Sequence, residues 1–306
     1  MYVGRTVVEP ALYSIALCFK AMKHLSEFTP ADLAELAQSD VARALAEDVG
    51  SGDLTAALVD RSLGARARIL AREPAVICGA PWVQAAVLAC DPKASLSWHV
   101  TDGQRCTANQ VVLEIAGNAQ ALLTAERTAL NFLQLLSAVA TRTAVFVDAV
   151  AGTRAKIVDT RKTLPGLRLA QKYAVTTGGG VNHRIGLFDA VLIKENHIAA
   201  AGGVGAVLKR VAETAPQARF VEIEVETLEQ LDEALASGAT MVLLDNMDIP
   251  TLQEAVRRNA GRAVLEISGG VNLDTVRALA ETGVDRISIG ALTKDLKAID
   301  FSMRMI

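Results

Sequence analysis

Six short apolar segments alternate with helical segments in the second half of the chain, and this pattern limits the possible folds more than any other feature. The segments are AKIVDT (155–160), AVLIK (190–194), RFVEIEVE (219–226), TMVLLD (240–245), AVLEIS (263–268) and RISIG (286–290). The last four begin 21 to 23 residues apart, which is the length of one strand with its helix. Because a parallel strand pair needs a crossover between its strands, these repeats predict a parallel sheet.

Polar residues or glycines stand at the end of nearly every one of these segments. They are Thr160, Arg161, Lys162, Lys194, Glu224, Glu226, Asp245, Ser268, Gly269, Gly270 and Gly290. The loops after the strands of an α/β barrel build its active site at one mouth, so this placement favours a barrel with fewer than eight strands. An open, doubly wound sheet is the alternative.

The first part of the chain predicts a separate α+β domain with a small antiparallel sheet. Thr29 before Pro30 is a good helix N-cap, and a second, longer helix is expected from about 119 to 150. Short β-like runs lie between the two helices, at 65–71, 75–79, 95–100 and 111–117.

Charge is distributed unevenly along the chain. Residues 151–200 contain eight Lys or Arg and three Asp or Glu, whereas the whole chain has a net charge of −3. Cations concentrated at strand ends predict a pocket for a small polyanion, and the acidic total argues against nucleic acid. Four cysteines without CxxC spacing indicate reduced thiols, and the apolar runs are short for a membrane span. We therefore expect a cytoplasmic protein that binds neither nucleic acid nor membrane.

The segment 219–226 places Glu222, Glu224 and Glu226 on one face of a strand, because side chains alternate between faces. Buried carboxylates need cations or a metal, and Lys156 and Lys194 are the partners we expect. We interpret Glu222, the deepest, as part of a structural ion pair and Glu224 as a ligand.

Other strand ends predict sites for a sugar phosphate. Asp245 suits ribose hydroxyls or Mg²⁺, which prefers oxygen ligands. Small residues after the last two strands, at 268–270 and Gly290, suit a phosphate. His183 and Arg184 follow the glycine run 178–180, and on spacing alone Arg127 is either a ligand or a surface charge. The histidines lack the spacing of a zinc site.

Several motifs follow one another from about residue 30 to the end of the chain: EDVGSGDLT (47–55), TAERTALNFLQLLSAVATRT (124–143), DTRKTLPGLR (159–168), KYAV (172–175), GGGVNHRIGLFDAVLIKENH (178–197), EVE (224–226), LLDNM (243–247), EISGGV (266–271) and ISIGALT (287–293). Taken together, these motifs resemble the quinolinate phosphoribosyltransferases. The resemblance implies an α/β class fold: an N-terminal α/β sandwich domain and an incomplete parallel α/β barrel. It also implies a homodimer, or a higher oligomer, whose subunits share active sites.

We accordingly divide the chain into four segments. They are an N-terminal extension without an assigned role (1–28), the sandwich domain (29–140), the catalytic barrel (141–295) and a C-terminal tail expected to pack on the N-terminal domain (296–306).

The activity that the resemblance implies is that of a pentosyltransferase. Quinolinate would react with phosphoribosyl pyrophosphate and Mg²⁺ to give nicotinate mononucleotide, pyrophosphate and CO₂, a step of de novo NAD biosynthesis. The residues that would contact quinolinate are Arg127 from the neighbouring subunit, Thr160, Arg161, His183, Arg184 and Lys194. The phosphate groups would lie on Lys162, Ser268, Gly269, Gly270 and Gly290. The catalytic residues would be Lys162, Lys194, Glu224 and Asp245, the last two also facing Mg²⁺ directly or through ribose or water.

Three alternatives stay open at this point. Lys194 could form a Schiff base in a barrel lyase, which would require a neutral amine. The chain could be a noncatalytic anion-binding member of the family, although the charged positions argue against this. It could also act on another pyridine or heterocyclic acid.

Overall fold

The computed structural model describes residues 25–306. Residues 1–24, most of the predicted N-terminal extension, lie outside the described residues. The predicted first helix is confirmed as α1 (Pro30–Val49), and Thr29 caps it. Thr29 Oγ1 accepts a hydrogen bond from Asp32 N at 3.2 Å, and the Asp32 carboxylate accepts one from Thr29 N at 2.8 Å. This reciprocal pair satisfies two backbone donors that a helix start leaves without partners.

The N-terminal part combines this helix with α2 (Ala80–Cys90), α3 (Ala119–Ala149) and a four-stranded antiparallel sheet. Its strands are β1 (Gly64–Ala71), β3 (Ser95–Trp98), β5 (Val111–Asn118) and the C-terminal β12 (Phe301–Met305), in the order β12-β1-β5-β3. Two short strands, β2 (Ala75–Val76) and β4 (Arg105–Cys106), pair separately. Ile69 lies opposite Met303, so the C-terminal end of the chain returns from the barrel to this sheet.

The second part contains all six predicted strands in one parallel sheet. They are β6 (Lys156–Val158), β7 (Val191–Ile193), β8 (Val221–Val225), β9 (Met241–Asp245), β10 (Val264–Ser268) and β11 (Arg286–Ser288). Their order is β6-β11-β10-β9-β8-β7, so β7 to β11 are neighbours in chain order and β6 lies beside β11. In a doubly wound sheet, the order in which successive strands are added reverses at a switch point. The order is therefore that of the predicted incomplete barrel, and its gap lies between β6 and β7.

Helices follow these strands around the barrel. They are α4 (Arg168–Thr177), α5 (Glu195–Ala201), α6 (Val204–Thr214), α7 (Leu228–Ala236), α8 (Ile249–Asn259), α9 (Val276–Glu281) and α10 (Ala291–Lys294).

The long helix α3 lies between the two parts and carries the predicted apolar stripe. Leu130, Leu133 and Leu136 are at most 2% exposed. By length and composition α3 could cross a membrane, but 61% of its most apolar window is buried inside the protein. This is the pattern of a core helix, and it fixes the sandwich domain against the barrel.

Candidate active site

A cavity of about 330 Å³ opens at the carboxyl ends of the barrel strands. Its lining includes eight of the residues that the sequence singles out: Thr160, Arg161, Lys162, His183, Arg184, Lys194, Glu224 and Ser268. Leu192, Leu243, Glu266 and Ser288 complete it. A larger groove of about 630 Å³ between α1 and α2 is lined without a charged side chain, so it offers no group for acid–base or anion chemistry.

The turn after β6 brings Arg161 and Lys162 into the cavity. Thr160 Oγ1 accepts a hydrogen bond from Lys162 N at 3.1 Å, and Thr293 Oγ1 donates one to Lys162 O at 2.7 Å. A Cβ on Gly290 would lie 2.8 Å from Lys162 Cδ, closer than van der Waals contact allows. Gly290 was predicted to cradle a phosphate, and the structure places it under the stem of the lysine that was predicted to bind one.

His183 is 5% exposed, and both of its ring nitrogens have protein partners. Nδ1 accepts a hydrogen bond from Arg184 N at 2.7 Å, and Nε2 lies 2.7 Å from Glu222 Oε2. The first contact leaves the proton on Nε2, so His183 donates to Glu222. Burial lowers the pKa of His183, which keeps the ring neutral. His183 therefore forms part of the cavity floor.

The floor continues into the buried carboxyls of Glu222 and Glu266 and the half-buried Arg286. Arg286 Nε lies 2.7 Å from Glu266 Oε2, and Ser288 Oγ donates to Glu266 Oε1. Glu222 was expected to form a structural ion pair, with Lys156 as one partner. The second expectation is wrong: Lys156 is exposed at the start of β6, and the partner of Glu222 is His183. Lys156 stays in solvent, although Arg286, its partner in the strand register, reaches Glu266.

One carboxyl of this floor has an unusual acidity. Burial raises the pKa of Glu222 from its ordinary 4.5 to about 7, although Arg286 and Arg184 act in the opposite direction. Ligand atoms of His183, Glu222 and Glu266 lie within 4.8 Å of one another, a spacing that could accept a metal ion. Arg286 already supplies the positive charge next to both carboxyls, which disfavours a divalent cation there.

The pKa of Glu222 predicts a pH-dependent stability difference for Glu222→Gln. A carboxyl whose pKa is raised by folding favours the folded state at low pH, and this contribution is lost as the pH rises from about 4.5 to about 7. Glu222→Gln has no titrating carboxyl at this position and does not lose this stability. The free energy of unfolding of the variant minus that of the wild type should therefore increase by about 3 kcal/mol as the pH rises through this range. Urea unfolding at pH 5 and pH 8 measures it. Glu226→Gln, at an exposed position, is the control, and an unchanged difference for Glu222→Gln would contradict the prediction.

Lys194 and Glu224 form the opposite wall of the cavity. Lys194 Nζ lies 2.9 Å from Glu224 Oε2, which agrees with the predicted pairing. This hydrogen bond raises the pKa of Lys194, so the amine is a charged ammonium. A Schiff-base lyase needs the neutral amine, and the structure therefore disfavours that alternative. Glu226, predicted on the same inward face, is exposed because β8 ends at Val225.

Asp245 and the loop 268–270 lie side by side at the ends of β9 and β10. Asp245 pairs with Ser268 in the strand register, and a Cβ on Gly269 would lie 3.7 Å from Asp245 Oδ1. Gly269 and Gly270 have φ of +97° and +61°, a backbone shape that favours glycine. Ser268 lines the cavity, whereas Asp245 and the two glycines lie just beyond its lining.

Arg127 is the one predicted quinolinate ligand that the chain does not bring to this cavity. It is exposed on α3, outside the cavity lining.

Glu266, Ser288, Leu192 and Leu243 are the lining residues that sequence reasoning did not single out. Alternation along β10 and β11 could have assigned Glu266 and Ser288 to the inner face. No pattern distinguishes the two leucines from core residues.

The fold and the site together define a barrel enzyme that binds small anionic substrates at the carboxyl ends of its strands. The chain belongs to the quinolinate phosphoribosyl transferase family. Residues 53–137 match the model of the family's N-terminal domain, and residues 139–304 match that of its C-terminal domain. The predicted family and fold class are thus confirmed.

Individual relatives agree with this assignment. A nicotinate-nucleotide pyrophosphorylase [carboxylating] of Mycobacterium leprae is 44% identical over 279 residues, covering 88% of this chain and 97% of the relative. A probable enzyme of the same name in Bacillus subtilis is 39% identical over 257 residues, covering 84% and 89%. The structure is similar to that of the nicotinate-nucleotide pyrophosphorylase from Francisella tularensis, with a TM-score of 0.88, 41% identity, and coverage of 93% and 100%.

Proposed function

We propose that this protein transfers the phosphoribosyl group of phosphoribosyl pyrophosphate to quinolinate and releases CO₂, giving nicotinate mononucleotide and pyrophosphate for NAD biosynthesis. The observation that carries the proposal is the cavity itself. Its lining combines Arg161, Arg184 and Lys194, which can bind a dicarboxylate, with the carboxylate of Glu224 at the end of β8. The chain also belongs to the quinolinate phosphoribosyl transferase family.

Two guanidinium groups support a dianionic substrate. Burial lowers the pKa of Arg184, and the nearby charge of Arg161 lowers it further. Cations that repel each other in this way bind an anion between them favourably, and each fork can donate two parallel hydrogen bonds to a carboxylate. We assign Arg161 and Arg184 to the carboxylates of quinolinate, together with Thr160 and Lys194. His183 supports Arg184 through its own ring.

The first step needs no side-chain nucleophile. The pyridine nitrogen attacks C1′ of the ribose as pyrophosphate departs, and the ribose becomes oxocarbenium-like. We assign Glu224 and Asp245 to the ribose hydroxyls and to stabilisation of this positive charge. Lys162 neutralises the departing pyrophosphate, and the loop 268–270 receives the 5′-phosphate. Most of the rate enhancement then comes from positioning and electrostatics.

Mg²⁺ is the cofactor we propose. Glu224 and Asp245 provide the carboxylate oxygens that this ion prefers, either directly or through ribose and water. When bound, the ion supplies charge stabilisation for the pyrophosphate group.

Loss of CO₂ follows from the product of the first step. The ring nitrogen has become cationic, so it accepts the electrons released when the C2 carboxylate leaves. Protonation of C2 completes the reaction.

Incubation of the protein with quinolinate, phosphoribosyl pyrophosphate and Mg²⁺ tests the proposal. We expect nicotinate mononucleotide and CO₂ in equal amounts, and no product when nicotinate replaces quinolinate. Turnover of nicotinate but not quinolinate would assign the site to a different pyridine acid, and absence of any turnover would refute the activity.

We also propose a homodimer, or a higher oligomer built from it, in which Arg127 enters the cavity of the neighbouring subunit. Its exposed position on α3, away from the cavity of its own chain, supports this arrangement. A cytoplasmic location is proposed as well, in keeping with the free thiols of Cys78, Cys90 and Cys106.

The Gly290→Ala variant should lose activity through Lys162. The backbone at Gly290 has φ of −66°, which alanine adopts easily, so the added methyl group acts only by displacing the lysine stem. We expect kcat/KM for phosphoribosyl pyrophosphate to fall roughly 10- to 100-fold at unchanged Tm. Gly64→Ala is the control, since a Cβ there meets one atom at 4.0 Å. Unchanged kcat/KM in Gly290→Ala would show that Lys162 does not need its present position.

A further inference from the structure

A buried ion pair lies beneath the cavity and joins Asp159, directly after β6, to Lys172 of α4. Both side chains are 0% exposed. Burial raises the pKa of Asp159 and lowers that of Lys172, and each charge is stabilised by the other. A buried pair of this kind is weak evidence for a gain in stability, because apolar residues of similar volume often replace it without loss. Its hydrogen bonds indicate a second role.

The remaining hydrogen bonds of the pair go to Asn182 and His183. Asp159 Oδ1 accepts from His183 N at 2.9 Å, and Asp159 Oδ2 accepts from Asn182 Nδ2 at 2.6 Å. Lys172 Nζ donates to His183 O at 3.1 Å. Both main-chain polar groups of His183 are therefore held by the pair.

This segment lies next to the gap of the barrel, beside β6. Val181 forms an isolated parallel bridge with Val158, and among the described residues no strand pairing continues beyond it. A buried backbone without a sheet partner must find its donors and acceptors elsewhere. At His183, beyond the bridge at Val181, the carboxylate of Asp159 is the acceptor for the backbone N–H and the ammonium of Lys172 is the donor for the backbone carbonyl.

We propose that the Asp159–Lys172 pair positions His183, and through it Arg184, for the carboxylates of the substrate, although neither member of the pair lines the cavity. The His183 ring meets Glu222 at 2.7 Å, and Arg184 Nη1 donates to Ala190 O at 3.3 Å. A shift of the main chain at 182–183 would move both side chains away from these partners. This inference rests on the proposed function.

A double variant, Asp159→Asn with Lys172→Met, tests the positioning role. Either change alone leaves a buried charge without its partner and should lower Tm strongly. The double variant removes both charges, so its Tm should recover most of that loss. Its KM for quinolinate should still rise about tenfold or more, because asparagine and methionine cannot restore both main-chain contacts. The KM for phosphoribosyl pyrophosphate should stay within about twofold, because that substrate is bound by other residues.

Tyr173→Phe is the matched control, at the next position on the same helix. The Tyr173 hydroxyl donates to Asp102 Oδ2 at 2.8 Å, on the side of α4 that faces the sandwich domain. This variant loses a partly buried hydrogen bond, so Tm should fall while both KM values stay unchanged.

Three results would overturn the positioning role. They are an unchanged quinolinate KM in the folded double variant, an equal rise of both KM values, and a selective rise in Tyr173→Phe as well. If that double variant does not fold, Asp159→Leu with Lys172→Met removes the same two charges and both main-chain contacts of His183, with apolar side chains in their place. A selective rise of the quinolinate KM is expected there too, and an unchanged value overturns the proposal.

Failure of the proposed function can be distinguished from failure of this inference. Wild-type protein without turnover would refute the function alone. Calorimetric binding of benzene-1,2-dicarboxylate to the wild type and the double variant then still tests the positioning. Equal affinities would overturn it, and an affinity weakened about tenfold or more would support it.

Discussion

The Arg161→Ala variant should lose about 10²- to 10⁴-fold in kcat/KM for quinolinate and remain folded. Arg161 lines the cavity next to Arg184, and its fork can donate two hydrogen bonds to one carboxylate. Each charge-assisted bond contributes roughly 1.5 to 3 kcal/mol, and removing the side chain also leaves the substrate carboxylate without a counter-charge. Initial rates at varied quinolinate measure the loss, and circular dichroism with Tm shows whether the fold is kept.

Two further variants show which property of Arg161 causes the loss of kcat/KM. Arg161→Lys keeps the charge but not the fork, so its activity should lie between those of the wild type and Arg161→Ala. Arg154→Ala removes an exposed arginine that pairs with Asp285 before β6 begins, at the opposite end of the barrel, and it should have nearly wild-type kcat/KM. Nearly wild-type kcat/KM in Arg161→Ala would exclude Arg161 from substrate binding and remove the main support for the proposed site.

The barrel and much of the candidate site could be predicted from the sequence because both depend on strand direction. In a parallel barrel every strand has its carboxyl end at the same mouth. Residues as distant as Thr160 and Ser268 therefore line one cavity, and no knowledge of their side-chain contacts is needed to expect it.

The floor of the cavity could not be predicted in the same way. Alternation along β8 correctly turned Glu222 inward, but it does not identify the group that faces it. The partner, His183, belongs to no strand, and it reaches the interior because a segment without regular periodicity lies beside the gap next to β6. Hydrophobic spacing contains no information on such a segment, so the lysine expected as partner was the wrong residue.

The proposed homodimer places Arg127 in the cavity of the neighbouring subunit, and complementation between two inactive variants tests this placement. Arg127→Ala and Lys162→Ala should each be nearly inactive alone if both residues contact substrate. When the two variants are coexpressed with different affinity tags, hybrid dimers should regain activity. In a hybrid, the Lys162→Ala subunit supplies its intact Arg127 to the cavity of the Arg127→Ala subunit, whose Lys162 is intact. One complete site results for each hybrid.

The size of the recovery distinguishes a shared site from a site within one chain. Random pairing gives half hybrids, and half of their sites are complete, so a symmetric dimer should reach about a quarter of wild-type activity. Doubly purified hybrids should reach about half. Coexpression of Lys162→Ala with Lys194→Ala is the control, because both residues line the same chain's cavity and no combination restores a complete site. If Arg127 acted within its own chain, no pairing would rebuild its site, and the first mixture would remain as inactive as the control.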